Sequence, residues 1–462
     1  MNTASRKRVP ADPMATNAPH LKSTKPTFSE GKALARQIFH ETMASIEVGR
    51  ALGTKVKREG GTLVMGSLLL PLLGPSRVVA VGKAANRMAA ALSEILDGQV
   101  EAGLCVAPSP PARKLDRFEY IVGGHPYPNV GSFAGAEAAL EMVSGLTAED
   151  FVIFLISGGG SALFEKPFDP EITVADLAEF HRVLVTCGLP IQDMNVLRKH
   201  ISAVKGGQLA MRAFPARQLT IFISDVPEHL PSTVASGPTM ADESTVDDCL
   251  ALAERHGLKA KFPPAIRKHF EERTLLETPK PNDQRFIHSR FFCLLSNHDA
   301  VEAAKAAAER AGFVAEIDAN VWDADYRQVA EANLKSLAAL ADSHPAEPVC
   351  LVVGGEVTCP VTGPGTGGRN QAFVLYAAER ISAQNRVVLS AGTDGRDGNS
   401  PSSGAVADGQ TLTRAQTHGL DADRHLAESD SYHFFRTLGD TIETGFTDNN
   451  VRDVRLWMHF PS

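Results

Sequence analysis

The sequence predicts an α/β protein with mainly parallel sheets and two domains. Short apolar runs such as residues 77–81 consist of consecutive β-branched and small residues, a pattern typical of strands buried on both faces. Helical patterns follow these runs, as in residues 84–96 and 299–311, and such alternation favours parallel sheets. The chain of 462 residues is also too long for a single hydrophobic core, which favours two domains.

The predicted elements divide along the chain at a proline-rich segment. Strands are predicted at residues 77–81, 151–156, 219–223, 291–295, 349–353 and 386–390. Prolines and charges alternate between residues 259 and 285, which predicts a surface linker, so we expect domains over residues 28–275 and 276–462. Residues 1–27 lack a run of apolar residues and predict a disordered tail, with a targeting segment as the alternative.

Composition limits the classes of partner. The net charge of −8 and the pI of about 6.0 disfavour general binding to nucleic acids or acidic membranes, although a local basic pocket remains compatible with them. No apolar run reaches the ~20 residues that cross a bilayer. The six cysteines form no Cys-x-x-Cys pair, which argues against a structural zinc site and favours a reducing cytoplasm.

Two glycine loops carry the strongest chemical signal. Residues 157–161 read Ser-Gly-Gly-Gly-Ser, and residues 363–370 read Gly-Pro-Gly-Thr-Gly-Gly-Arg-Asn; each lies before a helical pattern. Exposed backbone N–H groups at such places attract phosphate. The planar guanidinium group of Arg369 can bind two oxygens of the same anion. A tight turn is the alternative reading of the first loop. The pattern predicts an enzyme that handles phosphorylated or acidic small molecules.

Two common nucleotide-binding signatures are absent from the sequence. No Gly-x-x-x-x-Gly-Lys-Ser/Thr occurs, because the second loop ends in Arg369 and Asn370. No Gly-x-Gly-x-x-Gly follows an early strand, which disfavours a nicotinamide dehydrogenase.

Further candidate residues follow the predicted strands, where ligands bind in open α/β sheets. Lys83 is interpreted as a cation for a phosphate or carboxylate, with a surface lysine as the alternative. Asp225, Glu356 and Asp394 are candidate magnesium ligands, and Asp225 or Asp394 is also a candidate general base; turn formation is the alternative for each.

A basic cluster lies in the middle of the chain. It consists of Arg198, Lys199 and His200, followed by Lys205. The cluster predicts either a solvated helix face or the cationic wall of a pocket for an anionic substrate.

Taken together, eight motifs resemble the type-II glycerate kinases, the glycerate 2-kinase family whose C-terminal part is called the MOFRL domain. They are VGKAA, GGHPYP, SGGGSAL, LRKHISAVKGG, ASGPT, GGE, GGRNQ and GTDGRDG, in the same order between residues 81 and 398. The resemblance implies a Rossmann-like three-layer αβα domain, a second α/β domain, and an active site in the cleft between them. It also implies transfer of the γ-phosphoryl group of ATP, with Mg²⁺ or another divalent cation, to the 2-hydroxyl of D-glycerate, which gives 2-phosphoglycerate.

The resemblance maps the functional lysine and arginine of the family onto Lys83 and Arg369. With the mechanism of phosphoryl transfer, these two are the expected catalytic residues, together with Asp225 and Asp394. The expected ATP-binding residues are Ser157, Gly158, Gly159, Gly160, Ser161, Lys205 and Gly237. The expected substrate-binding residues are Arg198, Lys199, His200 and Asn370. Asp225, Glu356 and Asp394 are the expected metal ligands.

Several family carboxylates are replaced in this chain. Glu228, His229 and Leu230 stand where relatives have Gly-Asp-Asp, Asn129 replaces an acid, and Pro401 replaces an aspartate. These changes predict weaker metal binding or a different hydroxy acid. The alternatives are therefore a non-catalytic protein that retains the anion pocket, or a hydroxypyruvate reductase. The expected partners are ATP and a small hydroxy acid, and the sequence leaves open whether the chain forms a homodimer.

Overall fold

A computed structural model of the chain describes residues 27–227, 229–320 and 323–461. The strands in these ranges are β1 Lys57–Glu59, β2 Thr62–Met65, β3 Leu68–Pro71, β4 Ser76–Val81, β5 Val100–Ala107, β6 Phe118–Val122, β7 Phe151–Ile156, β8 Arg217–Ile223, β9 Ser289–Leu295, β10 Val314–Ile317, β11 Val349–Val353, β12 Arg386–Gly392, β13 Gly404–Asp408, β14 Thr441–Ile442 and β15 Asp453–His459.

The α-helices in the same ranges are α1 Phe28–Ser45, α2 Val48–Lys55, α3 Ala85–Leu96, α4 Val130–Met142, α5 Gly160–Leu163, α6 Val174–Thr186, α7 Ile191–Lys199, α8 Gln208–Ala213, α9 Val246–Arg255, α10 Pro264–Glu271, α11 Asn297–Arg310, α12 Tyr326–Ser343, α13 Arg369–Arg380, α14 Thr411–Thr417, α15 Ala422–Ala427 and α16 Ser431–Leu438. None of these helices is long and apolar enough to cross a membrane.

The first large sheet is parallel throughout, with the strand order β6-β5-β4-β7-β8-β9. Successive side chains of β4 enter different cores: Val78 and Ala80 pack with α3, whereas Val79 and Val81 pack with α4. Helices therefore cover both faces and form three layers. Because the strands are parallel, the loops after all of them emerge at one edge.

The second large sheet is mixed, with the strand order β10-β11-β15-β12-β13-β14. Strand β15 lies between β11 and β12 and runs antiparallel to both, so β11 and β12 point in the same direction. One face packs on α1 and α11, and the other packs on α12 and α13. The first residues of β15 therefore lie at the same edge as the last residues of β11 and β12.

The predicted α/β class is confirmed, and all six predicted strands coincide with strands of the structure. The predicted helices over residues 84–96 and 299–311 correspond to α3 and α11. The expectation of parallel sheets holds for the first sheet only, because β15 and the strands beyond β12 make the second sheet mixed.

The first sheet extends past residues 275 and 276, where the domain boundary was predicted, and the boundary itself stays a prediction. Strand β9 pairs with β8 and extends the first sheet to Leu295, so the chain passes to the second sheet at α11. Helix α1 packs on the second sheet, where a Cβ at Gly31 would lie 2.9 Å from Val387 Cγ2. The segment predicted as a linker contains α10 and a buried stretch in which the Pro279 carbonyl accepts a hydrogen bond from the Asp242 N–H at 3.0 Å.

The predicted disordered tail lies outside the described residues except for Thr27. The side chain of Thr27 caps α1 by accepting a hydrogen bond from the Glu30 N–H, and the Glu30 carboxylate accepts one from the Thr27 N–H in return. This reciprocal arrangement explains where α1 begins.

Candidate active site

The two large sheets face each other through the loops at their ligand-binding edges. Lys83, after β4, places its Nζ 3.7 Å from Asp394 Oδ2, which follows β12. Asn297, after β9, accepts a hydrogen bond from the Gly355 N–H at 2.8 Å and donates one to the Asp453 carbonyl at 3.0 Å. The residues between the sheets form the cleft that the sequence predicted as the active site.

The triglycine loop, residues 157–161, is folded tightly against β4. The Ser157 hydroxyl oxygen accepts a hydrogen bond from the Ala84 N–H at 3.0 Å, and its proton points to the Val81 carbonyl at 3.3 Å. Gly82 has a φ of +117°, and a Cβ there would lie 2.3 Å from the Ser157 hydroxyl. Glycine at position 82 is therefore required by backbone conformation and by space.

At each glycine of the triglycine loop, a different neighbouring group lies where a side chain would otherwise be. A Cβ at Gly158 would lie 2.3 Å from Asp225 Oδ2, and one at Gly159 would lie 3.2 Å from Lys83 Cγ. A Cβ at Gly160 would lie 2.6 Å from the Ala235 Cβ. The glycines thus bring a carboxylate and a lysine against the loop backbone, which explains why three are needed in succession.

The backbone of the triglycine loop offers free donors. Within the described residues, the N–H groups of residues 158–161 have no hydrogen-bond partner. Lys83 lies beside them, and burial together with the Lys83 charge lowers the pKa of His125 to about 4, so this neighbouring imidazole is neutral at pH 7. Free N–H groups next to a cation form a surface suited to an anion.

Several N–H groups of the second glycine loop already donate to side chains, so phosphate binding by this loop stays a prediction. The Gly367 N–H donates to Asn399 Oδ1 at 2.8 Å. At the start of α13, the N–H groups of Asn370 and Gln371 donate to the two oxygens of Asp397, at 3.0 and 2.8 Å. The carboxylate of Asp397 is buried and takes the position that an anionic ligand would need.

Arg369 is held in one orientation by two carboxylates. Its Nε and Nη2 donate to Asp453 Oδ2 and Oδ1 at 2.7 and 3.0 Å, and its Nη1 lies 2.7 Å from Glu356 Oε1. The Asp453 side chain is fully buried, whereas the Arg369 side chain is 34% exposed. Burial raises the pKa of Glu356 to about 7, although the charge of Arg369 acts in the opposite direction. The sequence did not indicate Asp453, because it is the first residue of a strand and does not follow one.

Asp225 and Asp394 form the acidic part of the cleft. Burial raises the pKa of Asp225 to about 6; the nearby Asp394 adds to this rise, and Lys83 opposes it. In the part of the chain that the structure describes, no three carboxylate, histidine or cysteine side chains converge to hold a metal ion. The predicted metal ligand Glu356 pairs with Arg369 and also has Arg452 Nε 3.7 Å from its Oε2.

Three members of the basic cluster and Asn370 point inward. Lys205 is fully buried and forms an ion pair with Glu165. Lys199 Nζ lies 2.8 Å from Asp242 Oδ1, and both side chains are 5% exposed. The His200 Nδ1 lies 2.8 Å from the Val196 carbonyl, and the buried Asn370 accepts a hydrogen bond from the Ser390 hydroxyl at 2.5 Å. Each residue has an internal partner, so a role in ligand binding stays a prediction.

Arg198 differs from the rest of the cluster. Its side chain is buried, and burial lowers its pKa to about 10. No carboxylate of the described residues lies within 4 Å, and Nε has no hydrogen-bond partner. Its Nη1 lies 3.5 Å from Asn195 Oδ1, which accepts a hydrogen bond from the Ser236 hydroxyl at 2.9 Å. The Ser236 hydroxyl is 2.8 Å from that of Ser161, so this chain of contacts leads to the triglycine loop.

A strained turn fixes Ser236 in this position. Ala235, Ser236 and Gly237 have φ values of +51°, +60° and +62°, and the left-handed region is unfavourable for the first two. A Cβ at Gly237 would lie 2.3 Å from the Ser232 carbonyl oxygen, so this position requires glycine. Gly237, predicted to bind ATP, shapes the turn that presents Ser236 to the triglycine loop.

The structure describes two of the positions at which this chain lacks a carboxylate of the family, Asn129 and Pro401. The side chain of Asn129 caps α4 by accepting a hydrogen bond from the Ser132 N–H at 2.9 Å, so an uncharged residue serves as the cap. Pro401 is exposed between Ser400 and Ser402, whose hydroxyls accept hydrogen bonds from the buried Gln371 amide. Glu228 lies outside the described residues.

Comparison with known proteins gives a consistent assignment along the chain. A domain of unknown function, DUF4147, matches residues 34–271, and the MOFRL family matches residues 349–453. The D-glycerate 2-kinase of Thermotoga maritima is 36% identical over 392 residues, which cover 83% of this chain and 91% of the relative. The glycerate 2-kinase of Pyrococcus horikoshii is 33% identical over 428 residues, which cover 92% and 96%.

A solved structure agrees with these matches. The crystal structure of glycerate kinase from Thermotoga maritima superposes with a TM-score of 0.79 at 31% sequence identity, and the match covers 93% of this chain and 100% of that chain. The similarity therefore extends across both sheets and the cleft between them.

The Lys205–Glu165 pair predicts that Lys205→Met mainly affects stability. The change leaves the Glu165 carboxylate buried without its cation, which costs about 3–5 kcal/mol of unfolding free energy. Urea denaturation followed by circular dichroism measures this loss. The control is Lys166→Met, which removes a surface ion pair with Glu137 and costs less than about 1 kcal/mol. A Lys205→Met protein with wild-type stability but weakened ATP binding would contradict the structural role.

Proposed function

The chain belongs to the glycerate 2-kinase family, and on that premise we propose that it transfers the γ-phosphoryl group of ATP to the 2-hydroxyl of D-glycerate, giving 2-phosphoglycerate. The observation that carries this proposal is the triglycine loop, whose free N–H groups lie beside Lys83 and Asp225 in the cleft between the two sheets. Phosphoryl transfer depends on positioning and charge neutralisation, and this arrangement supplies both.

The phosphoryl group in transfer lies against the triglycine loop. The N–H groups of residues 158–161 bind its oxygens, and Lys83 neutralises the charge that develops on them. Lys83 is available for this role because its partner, Asp394, is 3.7 Å away and both side chains are about one third exposed. Arg369 supplies a second, fixed cation, since Asp453 holds two of its nitrogen atoms.

The acceptor lies between Asp225 and Arg198. The carboxylate of Asp225, with a pKa of about 6, is mostly ionised at pH 7 and accepts the proton of the acceptor hydroxyl. Within the described residues the Arg198 guanidinium has no carboxylate within 4 Å, so it suits the carboxylate of the hydroxy acid, with Ser161 and Ser236 nearby. A hydroxy acid with a single carboxylate matches this arrangement of one base and one cation.

Asp394 would hold a magnesium ion that enters with the nucleotide, whereas Asp225 acts as the base. Mg²⁺ usually takes one or two protein carboxylates together with phosphate oxygens and water, so a complete protein cage is not required. The two carboxylates are close enough for the Asp394 charge to raise the pKa of Asp225. When bound, the ion neutralises phosphate charge, while Glu356 keeps its contacts with Arg369 and Arg452.

The state of the cysteines agrees with a cytoplasmic location. All six are free thiols, and Cys105, Cys249 and Cys350 are buried. Unpaired cysteines are typical of proteins in a reducing compartment, and we place the enzyme there.

Incubation with ATP, Mg²⁺ and a panel of hydroxy acids tests the proposed reaction. With D-glycerate, phosphorus NMR is expected to show a phosphomonoester resonance coupled to the proton on C2, together with ADP. L-Glycerate and glycolate serve as acceptor controls. NADH-dependent reduction of hydroxypyruvate without ATP turnover would assign a reductase instead, and D-glycerate binding without ADP formation would assign a non-catalytic binding protein.

Replacement of Lys83 by methionine is expected to lower kcat by on the order of 100-fold or more, because it removes a cation that stabilises the transferring group. Steady-state kinetics with a coupled ADP assay measures the loss. The matched control is Lys114→Met, since Lys114 is an exposed lysine in a loop of the first domain. Equal kcat values for the two variants would remove Lys83 from the mechanism.

The raised pKa of Asp225 predicts that kcat/KM falls on the acid side of the pH profile, in what is called the acid limb. The carboxylate is the active form, so kcat/KM is expected to fall as the pH drops through about 6 and Asp225 becomes protonated. The Asp225→Asn variant should have lower activity and lack this limb, because amides do not titrate there. If the acid limb were unchanged in Asp225→Asn, it would have to arise from the titration of another group, such as the γ-phosphate or Glu356.

A further inference from the structure

A cavity of about 540 Å³ lies in the second domain, next to the second glycine loop. Its walls come from the start of α12, the loop between β11 and α13, and the segment from α15 to α16. The residues that give the cavity its chemical character are Tyr326, Arg327, Cys359, Val361, Arg369 and His425. The catalytic roles described above leave this volume unused.

The walls of the cavity are fixed by hydrogen bonds that need no ligand. The Thr362 hydroxyl donates to the Ala427 carbonyl at 2.8 Å, and the Gly365 N–H donates to the Glu428 carbonyl at 2.9 Å. A Cβ at Gly365 would lie 2.6 Å from the same carbonyl oxygen, so the loop packs closely on the end of α15. Ligand sites are commonly formed in advance in this way.

The lining combines apolar surface with two cations. Arg327 lies over the Tyr326 ring, 4.6 Å from its centroid, and within the described ranges it forms no ion pair with a carboxylate. Val361 is 85% exposed and places an apolar side chain at the rim. At the other end, Arg369 is part of the lining. These surfaces suit a ligand with a flat apolar portion and an anionic portion.

The cavity borders the residues of the cleft at two places. Arg369 begins α13 at the cavity wall, and its guanidinium contacts Glu356 and Asp453. The loop after β12 runs from Asp394, beside Lys83, to Asn399 in the cavity wall. A ligand in the cavity therefore lies on the side of Arg369 that a phosphate chain directed toward Lys83 would pass.

We propose that this cavity binds the base and ribose of the nucleotide donor, with the phosphate chain passing Arg369 toward Lys83. The proposal rests on the kinase function proposed above. A hydroxy acid of a few atoms would leave most of the 540 Å³ empty, whereas a nucleoside matches the size and the apolar walls. The base stacks near the planar Arg327 guanidinium, and the donor is held mainly by the second domain, whereas the acceptor is held by the first.

Calorimetric titration with ADP, in the absence of glycerate, tests the site with two variants on the exposed rim. Arg327→Ala removes the cation, and Val361→Asp adds a negative charge at the mouth. Each is expected to raise the Kd for ADP about tenfold or more, and to raise the KM for ATP without changing the KM for glycerate. The controls are Arg436→Ala, which removes another arginine that lies over a tyrosine ring, and Val185→Asp on α6; both should bind ADP like the wild type.

Alkylation of cysteines gives an independent measurement on the unmodified chain. Saturating ADP is expected to slow the modification of Cys359, which lines the cavity, and to leave the exposed Cys293 unchanged, as measured by peptide mass spectrometry. Wild-type ADP affinity in both rim variants, together with unprotected Cys359, would overturn the proposed location. Phosphorylation of glycerate in the NMR experiment would then leave the kinase function intact, so the two proposals fail separately.

Discussion

The ion pair between Arg369 and Asp453 is the interaction on which the cleft depends. Both oxygens of the buried Asp453 carboxylate bind Arg369, and Arg455 Nη2 lies 3.6 Å from Oδ2. Removal of one partner from such a buried pair leaves an uncompensated charge, so the pair is a fixed point of the structure. Glu356 takes the remaining side of the guanidinium, and Arg452 lies against Glu356. Cations and carboxylates therefore alternate along one edge of the second sheet.

The two glycine loops show why similar sequence patterns lead to different chemistry. Both lie before a helix and both bring backbone N–H groups together. In the second loop, Asp397 and Asn399 accept hydrogen bonds from three of those donors, and both come from the loop after β12, about 30 residues further along the chain. In the triglycine loop, the nearest carboxylate, Asp225, lies against the Gly158 Cα and leaves the N–H groups free. Side chains distant in sequence therefore reduce the number of donors that the second loop can offer to an anion.

The six strands predicted from the sequence are confirmed, because each is a continuous apolar run, and candidate residues were found where they follow such a strand. Lys83, Asp225 and Asp394 follow β4, β8 and β12 and meet in the cleft, as expected from the edge rule. The rule misses Asp453 and Arg452, because β15 is antiparallel and brings its first residue to that edge. The position of α1 on the second sheet was also unpredictable, since an amphipathic helix does not specify which sheet it covers.

The basic cluster marks a further limit of sequence reasoning. Arg198, Lys199 and Lys205 carry the same charge and lie within eight residues, yet only their partners distinguish them. Asp242 neutralises Lys199 and Glu165 neutralises Lys205, whereas Arg198 has an amide oxygen as its neighbour. A buried cation without a counter-ion is costly unless a ligand supplies the charge. Arg198 is linked to the triglycine loop through Asn195 and Ser236, and Lys83 lies directly against Gly159. An acceptor carboxylate bound at Arg198 and a phosphoryl group bound at Lys83 would therefore both be held at this loop, and direct transfer requires such common positioning.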